Sequence, residues 1–387
     1  MLSLLLLMIA CSCKKAGGWA GNSRKTFLAP LALFAVLLFL ASCQQQKEKD
    51  YPIQPVSFTS VDVTDDFWAP RIKKNHDVTI PIAFQKSEET GRIKNFKIAG
   101  GLEEGSFASP APFDDSDVFK IIEGASYSLQ MFSDPELEAY LDTLIHYIGL
   151  AQEEDGYLYT NRTIMGDSAH PWAGEERWEL THDLSHELYN LGHMYEAAVA
   201  HYQATGKKSF LDIALKSAHL VDSVFGWDKI ENYPGHQEIE IGLVKLYRAT
   251  GKKKYLDLAK FFLDVRGPDG PKYCQAHKKV VDQTQAVGHS VRAAYMYTGM
   301  ADVAALTDDP GYVEAINAIW KDIVHKKLYV TGGIGASGGN EGFGEPYDLP
   351  NMTAYCETCA SIANVFWYHR MFMHEGEVKY YDVLERT

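Results

Sequence analysis

The segment from residue 331 to residue 360 combines many glycines with side chains that can do chemistry. It reads TGGIGASGGNEGFGEPYDLPNMTAYCETCA, which is too rich in glycine for a helix. Glu341 lies in its glycine-rich part, and Glu357 and Cys359 form a Glu-x-Cys unit near its end. A Glu and a Cys two residues apart at the start of a helix can bind one ion from a single turn, and a thiolate suits zinc. A buried cysteine beside a solvated glutamate would produce the same pattern, so both interpretations stay open.

Four histidines follow a glycine or a serine at comparable places along the chain. They are His186, His193, His236 and His289. Any one of them alone is more often a structural residue whose hydrogen bonds are satisfied. Repeated at corresponding positions near tryptophans and carboxylates, they suit the hydroxyl groups of a sugar, which need donors and acceptors around an apolar ring face.

Further acids, Asp115, Asp117 and Glu123, accompany the first helix that the sequence predicts in this part of the chain. They indicate either additional polar groups of a site or a helix N-cap followed by a solvated face. The sequence does not decide between these two interpretations.

Helix pairs are the elements that must position these residues. Asp134-Pro135 predicts the start of a helix whose apolar face carries Leu141, Leu144 and Ile148. The turn sequence Ala-Thr-Gly-Lys-Lys occurs at residues 204–208 and again at 249–253, each time between two amphipathic stretches. The glycine allows the first helix to end in a left-handed conformation.

A looser third copy of this helix pair runs from Ala293 through Asp308-Asp309-Pro310 to Trp320. Such pairs build an open solenoid or a closed toroid. The abundant aromatic residues and the long turns that carry Gly-His pairs favour the toroid. We therefore predict an all-α fold, an (α/α)6-type barrel over residues 55–387, with histidines, aromatic residues and carboxylates on one rim.

The first 43 residues predict an export signal. Arg24 and Lys25 precede an unbroken apolar run, residues 27–42, and Cys43 follows as the expected lipidation site. The run is shorter than the roughly 20 residues of a membrane-spanning helix, although an anchor helix remains the alternative. We expect a polar tether over residues 44–54 and an exported, periplasmic or outer-membrane lipoprotein anchored to the membrane by its lipid.

Charge and cysteine content exclude other classes of protein. Residues 1–43 carry four Lys or Arg and no acid, so their removal takes the formal net charge from −14 to −18. A body this acidic lacks the cationic surface that nucleic acids require. Only Cys274, Cys356 and Cys359 remain after the leader, and this odd, sparse set does not indicate a disulfide framework. The oligomeric state is left open.

Several segments together resemble glycoside hydrolase family 127, the β-L-arabinofuranosidases. The most specific is Leu349-Pro350-Asn351 followed by YCETCA at residues 355–360. The others are DSDVFK at 115–120, HELY at 186–189, GHQEIE at 235–240, AVGHSVR at 286–292 and YVTGGIG at 329–335. The resemblance covers nearly all of residues 55–387.

The resemblance implies a retaining glycosidase with a zinc-bound cysteine nucleophile. Carried over by motif, Glu341 is the general acid/base, and Glu357 and Cys359 are zinc ligands. His186, His236 and His289 would bind the hydroxyls of an arabinofuranose released from a plant cell-wall glycan. In the family, two adjacent cysteines further on complete the zinc site, and the first of them is the nucleophile.

This sequence departs from the family pattern after Cys359, since no cysteine follows it in the remaining residues up to Thr387. We expect a chain truncated before the nucleophile, two zinc ligands, the last barrel helices and the family's C-terminal β-sandwich domains. We also expect it to be inactive or poorly folded alone.

Two other functions stay open at this point. An epimerase or polysaccharide lyase on the same barrel would use a His or Tyr acid/base pair, and the Glu-x-Cys unit speaks against it. A catalytically dead, glycan-binding lipoprotein would need no nucleophile.

Overall fold

The computed structural model describes residues 50–387 and consists of helices with irregular connections. Fourteen α-helices lie in this part of the chain: α1 Trp68–Lys74, α2 Ile80–Glu89, α3 Arg92–Ala99, α4 Asp115–Met131, α5 Pro135–Ala151, α6 Thr160–Met165, α7 Glu187–Thr205, α8 Ser209–Val224, α9 Ile239–Thr250, α10 Lys253–Asp264, α11 Ser290–Thr307, α12 Pro310–Lys326, α13 Thr358–Glu375 and α14 Val378–Arg386. A π-helical stretch, Asn75–Thr79, joins α1 to α2. Single 3₁₀ turns lie at Phe58–Ser60, Gly166–Ser168, Pro171–Ala173, Lys272–Cys274 and Val280–Asp282.

The helices form consecutive pairs, as the repeat predicts. The first helices of the pairs, α4, α7, α9, α11 and α13, pack side by side in chain order, and α2 packs on α4 before them. Each is followed by a second helix that lies outside it, so residues 50–387 contain six pairs when α2 and α3 are counted. The prediction of an all-α, (α/α)6-type barrel is confirmed.

The predicted turns have the conformations that their sequences require. The Asp134 side chain accepts hydrogen bonds from the backbone N–H groups of Glu136 and Leu137 and so caps α5. Gly206 and Gly251 are left-handed, with φ of 74° and 68°, where α7 and α9 end. Asp308 and Gly376 take the same conformation after α11 and α13. The helix pair α13–α14 therefore extends the repeat beyond the three copies recognised in the sequence.

The N-terminal part of the described chain is attached to the barrel. Asp50 forms a two-pronged ion pair with Arg248, and the buried hydroxyl of Tyr51 donates to Asp302. Burial of the Tyr51 ring fixes these residues, which lie within the predicted tether. Residues 44–49 of that tether, the export signal and Cys43 lie outside the described residues.

No helix within residues 50–387 is both long enough and apolar enough to cross a membrane.

Candidate active site

The predicted site residues meet at one end of the barrel because the first helices of four pairs all begin there. His186, His289 and Glu357 are the N-cap residues of α7, α11 and α13. His236 comes two residues before Glu238, the N-cap of α9. We call the set His186, His236, His289 and Glu341 the histidine rim.

The rim imidazoles form a row. The ring centroids of His186 and His236 are 5.4 Å apart, and those of His236 and His289 are 5.8 Å apart. Phe113 stacks on His186 at 4.3 Å, and Tyr189 packs on His236 at 4.4 Å. The predicted grouping of these three histidines is therefore present in the structure.

Backbone contacts fix which nitrogen of each imidazole carries the proton. Nδ1 of His186 lies 2.6 Å from the Leu184 carbonyl oxygen, and Nδ1 of His236 lies 2.9 Å from the Gln237 carbonyl oxygen. A carbonyl oxygen can only accept, so both Nδ1 atoms donate. The Nε2 atoms of both rings are then left as hydrogen-bond acceptors.

His289 has the opposite tautomer. Its Nδ1 accepts from the backbone N–H groups of Val291 and Arg292 as the cap of α11. Nε2 must therefore carry the proton, and it donates to Oε2 of Glu341 at 3.0 Å. The Tyr355 hydroxyl lies 2.9 Å from the other carboxylate oxygen, Oε1 of Glu341, and donates to it.

The rim histidines are neutral in the folded protein. Burial, and then the Arg292 guanidinium, lower the pKa of His186 to about 3. The same two causes lower the pKa of His289 to about 4 despite the opposing effect of Glu341. Burial holds the pKa of His236 well below its usual value. Neutral imidazoles present either a donor or an acceptor to an uncharged ligand, without the desolvation cost of a cation.

A close approach of two backbone segments places Glu341 beside the rim histidines. Glu341 has a left-handed φ of 50°, and its carbonyl oxygen accepts from the N–H of Ser290. A Cβ added at the following residue, Gly342, would come within 2.0 Å of the Gly288 carbonyl oxygen. Only glycine permits this approach, which explains part of the glycine content of the segment.

Glu357 and Cys359 begin α13, as predicted from the Glu-x-Cys unit. Oε2 of Glu357 is buried without a hydrogen-bond partner, and the Cys359 side chain is exposed. Glu357 also offers an oxygen within 4.8 Å of ligand atoms of His289 and Glu341. Burial, and then Glu341, raise the pKa of Glu357. An unpartnered carboxylate oxygen and an accessible thiol on one helical turn fit a zinc ion.

The structure corrects two interpretations of the sequence. His193 does not lie in a turn with Gly192, because both belong to α7. Asp115 is not solvated but buried, and its carboxylate accepts from the backbone N–H of Thr160 at 2.8 Å and also from the Thr160 hydroxyl. Burial raises the pKa of Asp115 to about 7. Because its carboxylate is hydrogen-bonded to Thr160, this residue links α4 to α6 and is not part of the rim.

Several polar residues near the rim were not recognised as functional from the sequence. Tyr355 holds Glu341, and the Lys120 ammonium group donates to the Tyr189 hydroxyl at 2.8 Å. Both residues belong to the quoted motifs, although nothing in the sequence gave them a role. His193, which the sequence grouped with the other histidines, forms a buried group between α7 and α9 with Glu196 and Glu238, to which the sequence gave no role; we call this group the carboxylate cluster.

Comparisons with known proteins agree with this geometry. The family model described as β-L-arabinofuranosidase, GH127 catalytic domain, matches residues 60–387. A non-reducing end β-L-arabinofuranosidase of Bifidobacterium longum subsp. longum is 39% identical over an alignment of 319 residues, and the match covers 76% of this chain and 48% of the relative.

Two solved structures are similar over most of the described chain. One, a GH127 β-arabinofuranosidase, is 56% identical with a TM-score of 0.84 and covers 87% of this chain and 54% of its own. The other, a GH127 β-L-arabinofuranosidase from Geobacillus stearothermophilus T6, is 42% identical with a TM-score of 0.80, covering 84% and 55%. The chain spans about half the length of the relatives it matches.

Proposed function

This chain belongs to the GH127 β-L-arabinofuranosidase family, and we propose that it binds a terminal β-L-arabinofuranosyl residue of a plant cell-wall glycan and supplies the acid/base group for its hydrolysis. The observation that carries the proposal is the histidine rim itself. Three neutral imidazoles with fixed tautomers lie in a row that ends at a hydrogen-bonded carboxylate.

The rim complements the hydroxyl groups of a sugar. Nε2 of His186 and Nε2 of His236 accept, so two sugar hydroxyls can donate to them. Because Nδ1 of each ring is held by a backbone carbonyl, neither imidazole has to reorient when the sugar binds. Such pre-organisation reduces the entropy cost of binding.

Glu341 is the proposed general acid/base. As an acid it protonates the glycosidic oxygen of the departing group, and as a base it removes a proton from the incoming water. The Tyr355 hydroxyl can donate to the carboxylate or accept from the carboxylic acid, so it serves both protonation states. His289 Nε2–H donates throughout because its Nδ1 is committed to the helix cap.

Glu357 and Cys359 are the proposed zinc ligands of this chain. When bound, zinc keeps ligated thiols deprotonated at neutral pH. The Cys356 sulfur lies 3.6 Å from the Gly335 carbonyl oxygen and is assigned no role. Since no cysteine follows Cys359 in this sequence, the proposal assigns the nucleophile to no residue of this chain.

We also propose export and lipidation at Cys43, on the basis of the charged and apolar residues that precede it. Metabolic labelling with a fatty-acid analogue tests this. The label should enter the wild-type chain and be absent from Cys43→Ser, whereas equal labelling of both would contradict the assignment.

Calorimetric titration of the chain with a non-hydrolysable aryl thio-β-L-arabinofuranoside tests the sugar site. We expect saturable binding, with weaker or no binding of the α-anomer and of the corresponding arabinopyranoside. Equal affinity for all three sugars, or no binding of any of them, would contradict the proposed specificity.

Hydrolysis is tested on a fused protein that joins this chain to the part of the B. longum relative that the chain does not match. We expect the fused protein to release L-arabinose from an aryl β-L-arabinofuranoside with retention of configuration. Nuclear magnetic resonance identifies the anomer that is released first. Sugar binding by the chain without hydrolysis by the fused protein would instead favour a glycan-binding protein.

A further inference from the structure

The carboxylate cluster shares no residue with the group around Glu357 and has no role in the proposed hydrolysis. His193 and Glu196 are three residues apart on α7, so they occupy the same face of that helix. Glu238 reaches them from the start of the neighbouring helix α9. All three side chains are buried, with at most 5% of their surface exposed.

The atoms that face one another are all potential metal ligands. Nδ1 of His193 lies 3.4 Å from Oε1 of Glu238 and 3.9 Å from Oε2 of Glu196. Ligand atoms about 2.0–2.2 Å from a tetrahedral ion lie roughly 3.3–3.6 Å from each other. The two separations from His193 therefore match a coordination shell to within a few tenths of an ångström, and the ligand atoms of all three residues lie within 4.8 Å of one another.

The protein itself leaves these groups unsatisfied. Both carboxylate oxygens of Glu238 are buried without a hydrogen-bond partner, and its side chain is 0% exposed. Nε2 of His193 is buried without a partner as well, so no hydrogen bond there fixes the imidazole tautomer and Nδ1 is free to present its lone pair. Buried polar atoms normally have partners, which indicates that a bound species belongs here.

The surrounding charge favours a cation. The ammonium group of Lys245 contacts Oε1 of Glu196 at 2.5 Å and Oε1 of Glu123 at 2.9 Å. Lys245 thus neutralises one of three converging carboxylates, counting Glu238, and the other oxygen of Glu196 remains directed at His193. Lys120 is a second positive charge close to Glu238 and His193, so the three carboxylates and the two lysines leave one net negative charge for a bound cation to balance.

We infer that His193, Glu196 and Glu238 form a second divalent-cation site, separate from Glu357 and Cys359, which joins α7 to α9 beneath the histidine rim. One imidazole nitrogen and two carboxylate oxygens select a transition-metal ion of intermediate softness, such as zinc or cobalt, over calcium or magnesium, which prefer oxygen ligands alone. The link to the rim is short, because the ring of Tyr189 packs on both His193 and His236.

Cobalt(II) spectroscopy distinguishes this site from the Glu-x-Cys site. Cobalt bound to a thiolate shows a sulfur-to-metal charge-transfer band in the near ultraviolet, whereas cobalt bound only by nitrogen and oxygen shows weak visible bands alone. The metal-free whole chain is titrated with Co²⁺, and bound metal is counted by mass spectrometry. In Cys359→Ser we expect one Co²⁺ per chain with no charge-transfer band, together with a rise in melting temperature on adding the metal.

The matched variants are Glu238→Gln and Glu123→Gln. Glu238→Gln keeps the shape of the side chain but removes its charge, so we expect loss of one Co²⁺ per chain with the thiolate band retained. Glu123→Gln alters the other carboxylate on Lys245, which lies outside the ligand set, and should retain the metal. The inference is overturned if Cys359→Ser binds no Co²⁺, or if Glu238→Gln, folded by circular dichroism, binds as many ions as the wild type. Failure of the sugar-binding proposal would leave these metal counts unchanged.

Discussion

The histidine rim and the carboxylate cluster are both groups of polar side chains close to the first helices of the barrel, yet the protein treats them differently. In the rim, His186, His236 and His289 each use one nitrogen for a backbone contact. In the cluster, Glu238 has no partner for either oxygen. One site is held by the protein before a ligand arrives, and the other lacks partners until something binds.

This difference indicates what each site is suited to bind. A rim of fixed, neutral donors and acceptors matches an uncharged ligand that makes directional hydrogen bonds, such as a sugar. A cluster of buried, unpaired acceptors matches a cation, because one cation can satisfy several acceptors at once. Substitutions in one region therefore test whether the other region responds.

The largest expected effect is that of Glu341→Gln on turnover. The amide cannot exchange a proton, so kcat of the fused protein on an aryl β-L-arabinofuranoside should fall about 10²–10⁴-fold. Binding of the thio-arabinofuranoside by the chain should change little, and the cobalt count should stay the same.

Glu345→Gln is the control for this prediction, because Glu345 lies in the same segment and its side chain is exposed. A kcat of Glu341→Gln within about threefold of the control would remove Glu341 from the acid/base role. Loss of cobalt from the cluster in Glu341→Gln would instead show that the two regions are coupled.

The next effect concerns acid stability of the rim. His186 titrates at about pH 3 in the folded protein but near 6.5 when unfolded. Between these values the unfolded state binds the extra proton, so the stability that His186 contributes is present above pH 6.5 and is lost as the pH falls towards 3. In His186→Gln this loss is absent.

Urea unfolding of both proteins from pH 4 to pH 7 measures the difference. Between pH 4 and pH 6 the free energy of unfolding of the wild type should fall by about 1.4 kcal/mol more per pH unit than that of His186→Gln. Asp115, whose pKa is raised to about 7, has the opposite pH dependence, but it is present in both proteins and cancels. Parallel curves would show that His186 is not held neutral.

The sequence predicts the elements better than it predicts the depth of individual side chains. The cap at Asp134, the left-handed turns after α7 and α9 and the position of Glu357 at a helix start all depend on neighbouring residues in the chain. Burial of Asp115 depends on Thr160, which is 45 residues away, and no local pattern encodes that contact.

The Gly192-His193 pair shows why a local pattern can mislead. Glycine before histidine predicts a turn in two other places, but here it lies within a helix. A Cβ at Gly192 would come within 2.6 Å of the Glu238 backbone, and one at Gly242 within 2.5 Å of the Gly192 carbonyl oxygen. These glycines allow α7 and α9 to approach closely, and that approach brings Glu238 to His193.

The smallest predicted effect tests the acceptor role of a single rim nitrogen. His236→Phe keeps an aromatic ring against Tyr189, whose centroid is 4.4 Å from that of His236, but removes Nε2. Loss of one hydrogen bond of about 0.5–1.5 kcal/mol should weaken binding of the thio-arabinofuranoside by roughly 2–13-fold.

The control is His182→Phe, since His182 is exposed and its Nδ1 lies 3.3 Å from the Asn232 amide nitrogen. Affinities equal in the two variants would mean that the rim contributes shape rather than hydrogen bonds. In that case fixed tautomers would not be what separates the rim from the cluster, and only the unpaired oxygens of Glu238 would distinguish the two sites.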